Sequence, residues 1–261
     1  MIDESRIATA LKNFKGMVPF DHCVIDGFFE DTVARQLEAE FPDYDDPRWF
    51  HYQNPLEDKK ALNVWGEFPT NTLETFRALN SEKMTKLLAT AIGAQIYADP
   101  DLHGGGWHIH KRGGKLNPHL DYEIHPKLRI LRKINIIIYL SSKLEDVHGG
   151  ALGLWDHSEK TNQPGSLRRS IQPKFNRAVI FDTTQKSWHG ICAPLMPPEG
   201  IFRKSLAVYY LMDPGNYTGT RERALYAPTE NQKNDKLILD LIERRAHPTD
   251  YSSAYKTGEI I

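Results

Sequence analysis

The sequence predicts a mainly β protein with flanking helices, built on a core of the jelly-roll type. Two observations carry that expectation. From about Tyr97 onward, short segments rich in β-branched and aromatic residues alternate with Gly, Pro and Asn punctuation. Before that point, and again after Pro214, the periodicity is helical. With 261 residues, residues 1–261 read as one domain, since large β folds often reach this size undivided.

Residues 1–95 form the helix-rich support. Asp31 to Glu40 reads as an amphipathic helix ended by Pro42. Asn71 to Leu79 and Ser81 to Ile92 follow, the second stopped by Gly93. The aromatic and polar stretch Trp49 to Phe68 has no clear period and reads as loop. Residues 96–213 form the core, with candidate strands around Trp107–Lys111, Lys115–Tyr122, Arg132–Leu140, Ala151–Trp155, Ser170–Gln172, Ala178–Asp182, Ser187–Ala193 and Phe202–Leu211. Gly104-Gly105-Gly106 and His148-Gly149-Gly150 break the strand pattern. The extension, residues 214–261, carries an amphipathic helix over Asn231–Ala246, able to cap the barrel or to pair with a second subunit.

Composition narrows the function. Apolar residues make up 40% and charged residues 26%, which suits a folded globular protein. A net charge of −1 provides no global attraction to nucleic acid or to an anionic membrane. Cys23 and Cys192 are too few for a disulfide framework or a cysteine zinc site, and they suit a cytoplasmic setting. The N-terminal stretch lacks the basic start and apolar core of a signal peptide. Leu131–Leu140, the most apolar run, is far short of the ~20 residues of a membrane span and is β-branched, so it reads as a buried strand. No nucleic-acid or membrane partner is expected. Oligomeric state is not legible.

The chemistry begins at His119-Leu120-Asp121. Residues two apart on a strand share a face, so the imidazole and the carboxylate can converge on one ion. A second histidine would complete the two-His-one-carboxylate arrangement of non-haem iron(II). His189 in Ser187-Trp188-His189-Gly190 is the candidate, with glycine beside it giving backbone room. Downstream, Arg203 and Ser205 share one face of the next strand. A guanidinium and a hydroxyl projecting together suit a carboxylate, and an arginine in an apolar strand needs a partner.

The order His-x-Asp, a long gap, His, then Arg-x-Ser resembles the iron(II)/2-oxoglutarate-dependent dioxygenases, and more narrowly their prolyl 4-hydroxylase-like branch. The resemblance covers about Cys23 to Asp213. It includes Arg132 to Leu140, the Gly149-Gly150 turn before Ala151, and Pro173 to Phe181. It implies a double-stranded β-helix with Fe(II) held by His119, Asp121 and His189. It also implies 2-oxoglutarate as co-substrate, its distal carboxylate met by Arg203, with Tyr139, Ser205 and His110 as further contacts. O2 would be the oxidant, ascorbate a supportive reductant, and succinate and CO2 the co-products. The expected reaction is hydroxylation of an unactivated C–H in a small-molecule or peptidyl substrate of prolyl or other amino-acid type. The alternative is a non-catalytic β-helix module that binds metal or 2-oxoglutarate.

Several other residues invite a role. His108 and His110 could imitate a cupin metal site with Glu123, although the glutamate expected soon after the pair is missing. Trp107 and Trp188 are candidate pocket walls. His103, His125, His148 and His157 read as solvated loop histidines, and Arg129, Arg132 and Lys133 as a solvated strand entrance. Segments 48–68, 123–127 and 156–167 are candidate substrate-facing loops. Asp121 stands where related halogenases carry a small residue. Tyr209 occupies the position of a second arginine in related nucleic-acid dealkylases.

Overall fold

The structure, a computed structural model, describes residues 2–215, 217 and 221–247. It opens with helix α1 (Glu4–Leu11), strand β1 (His22–Asp26) and helix α2 (Asp31–Ala39). A hairpin follows, β2 (Phe50–Asn54) and β3 (Glu57–Leu62), and then helices α3 (Thr70–Leu79) and α4 (Glu82–Ile92). Gly93 ends α4 in the left-handed conformation, at φ 76, that glycine adopts without steric cost. The core strands are β4 (Tyr97–Ala98), β5 (Gly106–His110), β6 (Lys115–Leu116), β7 (His119–Leu120), β8 (Leu131–Tyr139), β9 (Leu152–Ser158), β10 (Gln163–Ile171), β11 (Arg177–Asp182), β12 (Trp188–Ile191) and β13 (Arg203–Met212). Strand β14 (Leu225–Tyr226) and helix α5 (Lys236–Ala246) close the described chain.

The strands form two antiparallel sheets. The larger runs β1-β11-β8-β13-β5-β3-β2, with β4 paired to β13 and β6 to β3. The smaller runs β10-β9-β12-β7-β14. This is the double-stranded β-helix, mainly β with flanking helices. Alternation in β8 explains how the larger sheet is covered. Ile134, Ile136 and Ile138 face the helical layer, packed in one cluster with Phe14, Phe28, Phe76 and Leu88. Full burial of each such isoleucine contributes about 1.5–3 kcal/mol. Tyr139 and Ile137 face the other way, toward the smaller sheet.

Helix α5 packs on the core through a separate cluster of Leu56, Tyr226, Leu241 and Ile242. Its Arg245 forms a buried ion pair with Glu57 on β3. Among the described residues, no helix is long and apolar enough to cross a membrane.

Three expectations need correction. Trp49–Phe68 is not loop: it holds the β2–β3 hairpin, five residues in register from Phe50↔Ala61 to Asn54↔Glu57. Residues 156–167 are not mainly loop but lie mostly in the β9–β10 pairing, because Gln163↔Ser158 and Pro164↔His157 carry the ladder up to a turn at 159–162. The strand expected over Lys115–Tyr122 is two strands in different sheets. Proline lacks the N–H a ladder needs, and at Asn117-Pro118 the chain leaves β3 and crosses to pair with β12 as β7.

Candidate active site

That crossing builds the site. His119 on β7 pairs directly with His189 on β12, and their rings lie 4.2 Å apart, centroid to centroid. Asp121 follows two residues after His119, with its carboxylate 3.8 Å from His119 Nε2 and 3.9 Å from His189 Nε2. All three ligand atoms lie within 4.8 Å of one another, and all three residues are buried.

Backbone carbonyls fix the tautomers. His119 Nδ1 is 3.0 Å from Asn117 O, and His189 Nδ1 is 2.9 Å from Ser187 O. With each Nδ1–H donating there, both Nε2 lone pairs point inward. Burial, joined by the neighbouring His189, lowers His119 to about 3. It is therefore neutral near pH 7, as a metal ligand must be. Burial alone would raise Asp121, but His189, Arg132, His119 and the Tyr209 hydroxyl overcome it and hold the carboxylate at about 2. Gly190 makes the close approach possible, since a Cβ there would stand 2.8 Å from both Asn117 O and Leu116 O.

Arg203, at the start of β13, is 4% exposed. Its Nε donates to Gly150 O at 3.0 Å and its Nη2 to the Tyr139 hydroxyl at 3.4 Å. Among the described residues, no carboxylate lies within 4.0 Å of it. Burial pulls the guanidinium below its usual pKa, opposed by Tyr139. Ser205 Oγ and both ring nitrogens of His110 are buried without a hydrogen-bond partner. His110 pairs across the ladder with Arg203, and Ser205 with Tyr139. One cavity of about 480 Å³ is lined by the triad together with Arg203, Ser205 and His110.

The donor set fits a divalent metal with open coordination positions. Two imidazoles and one carboxylate are the set that suits non-haem iron. A buried arginine without an acid, beside an orphaned hydroxyl, fits a bound carboxylate. Among the described residues the triad is the one His/Cys/Asp/Glu group able to hold a metal. His108 and His110 form no such group with Glu123, which pairs instead with Arg221 at 3.0 Å.

Two residues escaped the sequence reading. Tyr209 donates to Asp121 Oδ2 at 3.1 Å. Arg132 is 1% exposed rather than a solvated strand entrance, and its guanidinium carbon sits 3.8 Å and 3.3 Å from the ring centroids of Tyr122 and Tyr209. Sharing a face with Arg203 and Ser205 was the available signal for Tyr209. Nothing local marks Arg132, whose ring partners come from other strands and loops.

Other expectations also change. Trp107 packs against Phe41 and Phe68, and Trp188 against Leu120 and Ala227, so both are core rather than cavity wall. His125 is fully buried beside Asp99, and His157 accepts from Trp188 Nε1 at 3.1 Å, so neither is a solvated histidine. Segments 123–127 and 156–167 do not line the cavity, whereas Phe50, Tyr52 and Lys59 of the hairpin do.

A double-stranded β-helix carrying two histidines and an aspartate at one open-sided metal centre defines the class of 2-oxoglutarate- and Fe(II)-dependent dioxygenases. Residues 105–212 match the family model described as the 2OG-Fe(II) oxygenase superfamily. In fold the chain is similar to a prolyl 4-hydroxylase from Pseudomonas putida, at TM-score 0.56 and 12% identity, covering 79% of this chain and 98% of that one. It is similar also to prolyl 4-hydroxylases from Phytophthora capsici, at TM-score 0.51 and 17% identity, covering 97% of this chain and 83% of the other. A prolyl hydroxylase from Trichoplax adhaerens, solved with a hypoxia inducible factor peptide fragment, matches at TM-score 0.51 and 14% identity, over 80% of this chain and 88% of that one. No curated protein matches the sequence.

Proposed function

We propose that residues 1–261 act as one oxygenase domain that hydroxylates an unactivated C–H of a prolyl or other amino-acid-type substrate. O2 is consumed, 2-oxoglutarate leaves as succinate and CO2, and ascorbate serves as a supporting reductant. The carrying observation is the buried triad sharing a cavity with an arginine that lacks an acid partner. In this reading His119, Asp121 and His189 hold Fe(II). Arg203, Tyr139, Ser205 and His110 receive 2-oxoglutarate. The substrate class is supported by the prolyl hydroxylase fold alone, and a cytoplasmic setting by the free thiols of Cys23 and Cys192.

Bound iron and 2-oxoglutarate would supply the oxidising power for C–H cleavage. The chain's own residues supply position and charge. Asn117 O and Ser187 O hold the imidazole tautomers, and Tyr209 orients the Asp121 carboxylate. Arg203 offers its fork to the far carboxylate, and the Tyr139 hydroxyl, which accepts from Arg203 Nη2, steadies that fork. The strand walls keep bulk water from the buried triad.

Anaerobic titration with Fe(II) and then 2-oxoglutarate tests the reading. A weak visible charge-transfer band should appear in the wild type and be absent from His119→Ala. Bound metal without a band would remove the 2-oxoglutarate assignment. A band without any succinate on admission of O2 would favour the non-catalytic binding module.

A further inference from the structure

The cavity is more basic than iron and 2-oxoglutarate require. Lys59, Arg132, Arg203, Arg223 and Arg245 line it, against the carboxylates of Glu57 and Asp121. Glu57 is taken up by Arg245 and Lys59. Arg132 has no such contact: among the described residues, no carboxylate lies within 4.0 Å of its guanidinium, and Asp121 and Asp99 act on it only at longer range. Its Nε and Nη1 are buried without any hydrogen bond, and its Nη2 reaches only His103 O, at 3.3 Å. Leaving charged donors unpaired in a protein interior is costly, so the arrangement calls for an anion.

Arg203 cannot share its ligand with Arg132. On β13, Leu211 stands opposite Arg132 of β8, eight residues beyond Arg203. At ~3.3 Å per residue the two arginines enter the strand pair about 26 Å apart. One five-carbon diacid cannot satisfy both, even with each side chain reaching inward. Arg132 also lies beside the triad, because the ring stacked on it, Tyr209, hydrogen-bonds Asp121. The rings of Tyr122 and Tyr209 hold the guanidinium like a plate, leaving its edge for a planar ligand. Gly104 adds no side chain above it, where a Cβ would stand 3.3 Å from Arg132 Nη2.

We propose that Arg132, cradled by Tyr122, Tyr209 and Gly104, is the receptor for a carboxylate on the primary substrate. The substrate is then a carboxylic acid of amino-acid type rather than a neutral internal peptide segment. This deepens the oxygenase reading and rests on it.

Acetate is the probe, titrated anaerobically into protein saturated with Fe(II) and 2-oxoglutarate, with acetamide and equal ionic strength of chloride as controls. Thermal midpoint and the visible band are read together. Acetate should raise the midpoint saturably, and acetamide and chloride should not. In Arg132→Met, brought to the same saturation with Fe(II) and 2-oxoglutarate, the apparent acetate affinity should fall about tenfold or more. No saturable acetate effect in the wild type, needing no variant at all, overturns the proposal. So does an effect that persists unchanged in Arg132→Met, which would place acetate on the metal. Failure of the band to form at the outset points instead to the oxygenase reading.

Discussion

The Tyr209 hydroxyl donates to Asp121 Oδ2 at 3.1 Å, across 88 residues of chain and between the two sheets. Asp121 therefore does not hang from its strand end alone. Its carboxylate is fixed from the opposite sheet, and Arg221 Nε binds its backbone oxygen at 2.8 Å.

Tyr209→Phe should keep the fold and weaken divalent metal binding about 10–100-fold, the usual cost of losing such an orienting bond. Calorimetric titration with Fe(II) under anaerobic conditions, or with a redox-inert divalent ion, gives the number. Unchanged affinity would mean that Asp121 is held by its backbone alone.

His189→Ala should lose iron retention, since only two of three ligands remain. Metal content after gel filtration measures it, and full occupancy would remove His189 from the site. Arg203→Ala should retain iron but raise the 2-oxoglutarate requirement by about 2–5 kcal/mol of binding.

Gly190→Ala should push β12 away from the end of β6 and the link into β7. The new Cβ would meet two carbonyl oxygens at 2.8 Å, and backbone cannot swing aside as a side chain can. A loss of about 1–3 kcal/mol of stability is expected from such overpacking, together with weakened metal binding. Denaturant unfolding and metal titration on the same variant check both.

Acid should release α5. Burial would raise Glu57, yet Arg245 and Lys59 bring it down to about 2, below the ordinary carboxylate value. A depressed folded pKa stabilises the fold above the unfolded value of about 4.3. That contribution is lost as pH falls from there toward 2. Acid titration followed by hydrogen exchange at Leu241 and Ile242 should show it, and Glu57→Gln should flatten the response in that window.

The convergence of His119 with Asp121 and the inward face of Arg203 and Ser205 were legible because strand periodicity and close spacing fix which groups share a face. His119 and Asp121 are two residues apart, and Arg203 and Ser205 likewise. The hairpin β2–β3 was not legible. Its strands bury little and alternate weakly, since one side looks into a polar cavity rather than an apolar core. Arg132 was misjudged for a related reason. A charge at a strand entrance is ordinarily solvated, and Tyr122 and Tyr209 enclose it only once β8 and β13 have paired.

The Glu57–Arg245 pair joins positions 188 residues apart, and both line the cavity. A ribosome delivers Glu57 long before Arg245. Residues 105–212, which match the family model, are made between the two, so their strands can pair while one wall of the cavity is still missing. Enclosure by that wall follows the sheets it closes.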